Sequence, residues 1–119
     1  MIKLVTLIRR RQDLSMQEFI RRYETGHRRI GEKYLKGYAS RYFRRFLLER
    51  EDDVGVKPRQ YDVLTEIWFP DQEAVNNAFR DLGTPDALAE IAEDEATLFE
   101  RDSITTYLVE EYESDMETP

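Results

Sequence analysis

The chain has 119 residues, no cysteine and a net charge of −7. One domain with one moderate core is the expectation at that length, and the missing cysteines exclude disulfides, thiolate nucleophiles and thiolate metal sites. The charge is unevenly spread: residues 1–50 carry 14 Lys/Arg against 5 Asp/Glu (+9), and residues 51–119 carry 4 against 20 (−16). Such halves attract one another within a fold or across a dimer, or offer a basic surface to an anionic partner.

The apolar run Met1–Ile8 is short, and Arg9, Arg10 and Arg11 follow it. A signal peptide has the opposite order, and a membrane span needs about 20 apolar residues. The expectation is a soluble, cytoplasmic protein with no membrane partner. Residues 2–9 read as a strand with Ile2, Leu4 and Ile8 on one face and Val5 and Leu7 on the other. Ser15 followed by Glu18 fits a capping box at the start of a helix. Met16, Phe19, Ile20, Tyr23, His27 and Ile30 then form one helical stripe, with Arg21, Arg22, Arg28 and Arg29 off it. His27, the only histidine, falls on the inward side near the expected end of that helix.

Gly37 opens an expected second strand over 38–49, with Tyr38, Tyr42 and Phe46 on one face and Phe43 on the other. Residues 50–59, "REDDVGVKPR", read as a charged hairpin connection. The third strand is "YDVLTEIWF", 61–69, closed by Pro70. Asp71 caps the next helix, whose apolar residues are Val75, Ala78, Phe79 and Leu82. Gly83, Thr84 and Pro85 break it, and a further helix follows with the stripe Leu88, Ile91, Ala92, Glu95, Leu98 and Phe99. A fourth strand covers 103–112 and an acidic tail 113–119, leaving 1–112 as a single domain.

The order β-α-β-β-α-β predicts an α+β, ferredoxin-like fold: a four-stranded antiparallel sheet with helices on one face. Helices cover one face only, yet the first and third strands are apolar on both, with Leu64 and Trp68 opposite Val63, Ile67 and Phe69. At roughly 25 cal/mol per Å² of apolar area, leaving several hundred Å² wet forgoes several kcal/mol, and monomers avoid patches of that kind. A homodimer packed sheet to sheet is the expectation.

Residues 36–43, "KGYASRYF", are similar to the aromatic signature of RRM domains. Ser40 and Arg41 depart from it, it lies on the second strand instead of the third, and the first strand offers no aromatic for base stacking. Nucleic acid is therefore not the expected partner. Phe19, Tyr23 and His27 at four-residue spacing, "EIWF" at 66–69 and the acidic helix 94–99 before the last strand resemble the EthD family over nearly all of residues 1–112. That resemblance implies a dimeric α+β barrel with a cavity for a small, mostly apolar molecule. The superfamily includes cofactor-free monooxygenases, polyketide cyclases, lactone isomerases and dehydratases. Arg28 and Arg29 stand where the family often has a small residue or proline, and they either favour an acidic or phenolate ligand or coat the helix surface.

A lone histidine on an apolar stripe is by spacing alone a core residue; the resemblance assigns His27 proton transfer on a phenol, enol or α-proton. Tyr23, Trp68, Tyr38, Tyr42, Phe79 and Glu95 are candidates for contacting the substrate, with Trp68 either walling the cavity or filling the dimer interface. Glu95 interrupts an apolar stripe, which places it either half-buried or at the stripe's wet edge, and Asp94 reads as solvated. No metal-ligand spacing and no phosphate loop is present, so neither metal nor cofactor is expected. The reading is a homodimeric, small-molecule-binding protein, leaning to a cofactor-independent enzyme on an aromatic or polyketide-like substrate. The alternatives are a non-catalytic binding or scaffold dimer, and RRM-like RNA binding.

Overall fold

In the computed structural model, which describes residues 1–50 and 60–118, the elements run β1 (Ile2–Arg10), α1 (Met16–Arg22), a π-helical turn (Tyr23–His27), α2 (Arg28–Leu35), β2 (Arg41–Phe46), β3 (Val63–Phe69), α3 (Gln72–Leu82), α4 (Pro85–Leu98) and β4 (Phe99–Leu108). The expected hairpin connection lies, apart from Arg50, outside the described residues. The strands form one antiparallel sheet in the order β2-β3-β1-β4. This is the ferredoxin-like arrangement that the order of elements predicts. Among the described residues, no helix is long and apolar enough to cross a membrane.

The register sorts the side chains onto two faces, because alternate residues of a strand point to opposite sides. Leu4 opposite Ile67, Thr6 opposite Thr65 and Ile8 opposite Val63 face the helices, joined by Tyr42, Arg44 and Phe46 of β2. Lys3 opposite Trp68, Val5 opposite Glu66 and Leu7 opposite Leu64 face the other way, with Arg41, Phe43 and Arg45. The helix-side core has two clusters. One gathers Phe19, Tyr23, Leu14, Ile8, Val63, Leu98 and Phe99; the other gathers Leu4, Leu35, Phe69, Val75 and Ala78. Burying each large apolar side chain contributes roughly 1.5–3 kcal/mol.

Helix ends follow the capping chemistry with one change. Ser15 accepts from the Glu18 amide at 3.1 Å, but the Glu18 carboxylate is held by Arg21 and Arg22, so the reciprocal half of the box is replaced by ion pairs. Asp71 accepts from the Ala74 amide, and Thr84 caps α4 ahead of Pro85.

Several boundaries differ from the expectation. The helix does not end near His27: the Arg28 amide bonds to the Tyr23 carbonyl five residues back, and the helix continues through this π turn to Leu35. The second strand starts at Arg41, since Gly37 at φ +91° turns the chain and the amides of Tyr38 and Ala39 bond back to Leu35. Tyr38 and Ala39 are therefore not on the sheet, and the RRM-like signature has no platform there. The third strand starts at Val63, and the fourth runs from Phe99 to Leu108 instead of 103–112. Phe79 and Leu88 are exposed, because Val75, Ala78 and Ala87 supply the inward faces of α3 and α4.

Candidate active site: a cavity under the first helix

The two core clusters leave a gap. It is a cavity of about 220 Å³ between the helices and the sheet. Ile8, Ile30, Ile67, Leu82, Ile91, Phe99 and Ile104 make it apolar, and its polar lining is His27, Glu95, Tyr23, Tyr42 and the threonines 6, 65 and 106.

The π turn places His27. Its ring stands edge-on to Tyr23 and to Phe99, each 5.0 Å away between centroids, and its side chain is only 14% exposed. The Asp94 carboxylate meets Nδ1 at 2.7 Å. An ionised carboxylate can only accept, so Nδ1 carries the hydrogen and the neutral ring keeps its lone pair on Nε2. This is the His–carboxylate arrangement in which the acid fixes the tautomer and stabilises the imidazolium that forms. Asp94 is thus not solvated as its sequence position suggests; its side chain is 26% exposed and hydrogen-bonded to His27.

Glu95 lies half-buried beside this pair. Burial pushes its carboxyl above the ordinary glutamate range; His27 and Arg101 oppose that, and Asp94 adds to it. Tyr23 is buried, and desolvation raises its phenol well above its usual value, with Tyr42 adding to the effect. Tyr42 is raised chiefly by burial, partly offset by its interaction with Tyr23 and by Arg44. Both phenols therefore remain hydrogen-bond donors at neutral pH. Arg44 lies 4.9 Å from the Tyr42 ring and binds the Glu24 carboxylate through two nitrogens at 3.0 and 2.8 Å, which ties β2 to the π turn. A Cβ on Gly31 would come within 2.9 Å of Tyr42 Cε2 and Oη, so the bare backbone of α2 lets that ring lie against the helix.

Of the sequence candidates, His27, Tyr23, Tyr42 and Glu95 come together at the cavity. Three do not. Trp68 is on the opposite face of the sheet, against Phe43 and under Lys3. Tyr38 is in the turn after α2, donating to Asp81. Phe79 is 50% exposed on α3. Asp94 and Gly31 were not among the candidates. Asp94 sits one position from the inward stripe and reaches His27 sideways, while Gly31 lies four residues after His27 on the same helix face, a spacing that could have drawn attention to it. Among the described residues, no group of His, Asp and Glu could hold a metal ion.

Solved structures share this fold. An EthD-family protein of Bacillus halodurans C-125 is 19% identical with a TM-score of 0.63, the match covering 94% of this chain and 99% of that one. A dimeric ferredoxin-like protein of unknown function from Thermobifida fusca YX is 13% identical with a TM-score of 0.58, covering 91% and 88%. A mutant of SnoaB, a cofactor-independent oxygenase of Streptomyces nogalater, is 15% identical with a TM-score of 0.58, covering 98% and 97%. At these identities the likeness establishes the fold. No curated protein matches the sequence significantly. The family signal is in the sequence itself, because the EthD domain matches residues 11–102. That match takes in the helix carrying His27 and the helix carrying Asp94 and Glu95, and the chain belongs to the EthD family.

Proposed function

We propose that the protein is a homodimer that binds a small, largely apolar, aromatic or polyketide-like molecule in this cavity and acts on it by proton transfer at His27, without a cofactor. One observation carries the reading: the only histidine of the chain lines an apolar cavity with its Nδ1 committed to Asp94. Nε2 then takes a proton from a phenol, an enol or a carbon next to a carbonyl. Asp94 holds the imidazolium until the proton is returned. Positioned acid–base catalysis of this kind contributes about 10²–10⁴-fold. Tyr23 and Tyr42 orient the substrate oxygen. Dimeric and cofactor-independent descriptions among the structural neighbours support the assembly and the chemistry as those of similar folds.

Native mass spectrometry of freshly purified protein tests the assembly and the ligand together. The expected species is twice the 14.2 kDa chain with a small-molecule adduct. His27→Asn should leave the dimer and its melting temperature unchanged and reduce turnover of the recovered molecule by about 10²-fold or more. Unfolding of His27→Asn would make the ring a packing residue, and a dimer that binds but never converts its ligand would make the protein a carrier or scaffold.

A further inference from the structure

Building on the reading of the cavity as a ligand site, we propose that it takes a neutral aromatic molecule with a polar oxygen, and that Glu95 sets this choice by excluding carboxylates and phosphates. Volume admits the ring. An apolar cavity of about 150 Å³ accepts benzene, so about 220 Å³ has room for a substituted aromatic.

Charge sets the limit. Besides the two phenols, His27 and Glu95 are the ionisable groups of the described lining, which holds no Lys or Arg. The guanidiniums nearby are engaged or exposed to solvent. Arg28 donates to the Glu24 carbonyl at 2.7 Å and pairs with Glu32, and Arg44 is held by Glu24 through two nitrogens. Arg29 and Arg101 are exposed. Outside the cavity, Ile30 also borders a groove lined by Glu90, Glu93 and Asp94. Inside, a carboxylate would lose its hydration with Glu95 beside it and no Lys or Arg in the lining to replace the water. A neutral oxygen finds hydroxyls instead: the Tyr42 phenol, which is hydrogen-bonded to Tyr23, the Thr65 hydroxyl, and the Thr6–Thr106 pair, whose oxygens lie 2.9 Å apart.

Benzamide and benzoate test this directly, since they share ring and shape and differ in charge. Each is titrated into the full-length protein, with the ring C–H proton signals of the single histidine as the reporter. Benzamide is expected to shift these signals and to bind about tenfold or more tightly than benzoate, the order of one unscreened like-charge contact in a partly buried site. Glu95→Gln is expected to tighten benzoate until the two are within about threefold. Benzoate binding as tightly as benzamide overturns the charge rule while leaving the cavity a ligand site. An unchanged ratio in Glu95→Gln removes Glu95 from it. If neither molecule moves the signals, this inference and the ligand-site reading fall together.

Discussion

Glu95 couples the cavity to folding stability through its proton. Its carboxyl titrates near 4.5 in the unfolded chain and higher in the folded one, because burial disfavours the charged form more than His27 and Arg101 favour it. Below the lower value both states are neutral at this position. As pH rises through the window between the two values, the unfolded chain loses its proton first and the folded state is progressively penalised. Stability from this group therefore falls with rising pH and stays low above the folded value, the opposite of an ion-paired carboxylate. Glu95→Gln does not titrate, so its stability relative to wild type should rise across that window. Melting temperatures of both proteins from about pH 4 to about pH 8 measure the difference, in which the remaining groups largely cancel; a flat difference would mean that burial of Glu95 costs nothing. Residue patterns found Glu95 because a carboxylate interrupting an apolar stripe is conspicuous. They missed Asp94 because stripes report where Cβ points, whereas Asp94 reaches across to Nδ1 from the stripe's flank. For Trp68 the pattern leaves cavity wall and dimer interface both open, because alternation separates two faces of a strand without saying which one meets the helices.

At the scale of elements, the run from Met16 to Leu35 shows what periodicity does and does not carry. The stripe predicts a helix and its inward side, but spacings of three and four average over the extra residue of a π turn, which is why the turn at Tyr23–His27 was not legible. The break between α3 and α4 was legible because Gly83, Thr84 and Pro85 act by local chemistry alone. The start of β2 was not, since Tyr38–Ser40 carry strand-like residues and the turn at Gly37 overrides them. Gly31 gives this rod a measurable constraint. In an ordinary helix interior, Gly→Ala stabilises by about 0.5–1 kcal/mol. Here the new methyl meets the Tyr42 ring at 2.9 Å, and that ring is held by Arg44 on one side and Tyr23 on the other. Overpacking of this kind costs about 1–3 kcal/mol, so Gly31→Ala should lower stability by about 1 kcal/mol and push the phenol into the cavity. In a Tyr42→Leu background the clash is gone and the same substitution should become stabilising. Urea unfolding of the four proteins reads that reversal of sign, and two changes of the same sign would mean that Tyr42 moves aside freely.

For the whole molecule, the open face of the sheet is the unfinished part. Val5, Leu7, Leu64, Phe43 and Trp68 lie on it, half-buried by one another, and Tyr107 on the edge strand β4 is exposed. Its charges are arranged as a frame around these residues. Arg45 binds Glu66 at 3.1 Å and lies over Phe43, and Lys3 lies 3.9 Å over Trp68 while reaching Glu111 at 2.7 Å. The imbalance between the two halves of the sequence is partly met by such pairs, since Arg10–Asp62, Lys33–Glu90 and Arg45–Glu66 each join the basic half to the acidic one. Glu66 beside the aromatic pair makes the face a poor seat for a phosphate backbone and a good one for a second copy, where Arg and Glu of opposing sheets can meet. Leu7 is central on this face, paired with Leu64 on one side and Thr105 on the other. Leu7→Arg adds a charge that a monomer keeps in water at little cost but a dimer must bury, at a cost of several kcal/mol per unpaired ion. Sedimentation equilibrium should show wild type as a dimer at micromolar concentration and Leu7→Arg as a folded monomer. Fluorescence from Trp68, the only tryptophan, should shift to the red on dilution of wild type and be red-shifted at every concentration in the variant. A wild-type monomer with a concentration-independent Trp68 spectrum would remove the sheet-to-sheet dimer, and salt-sensitive RNA retention by that monomer would give Phe43, Trp68, Lys3 and Arg41 a different partner.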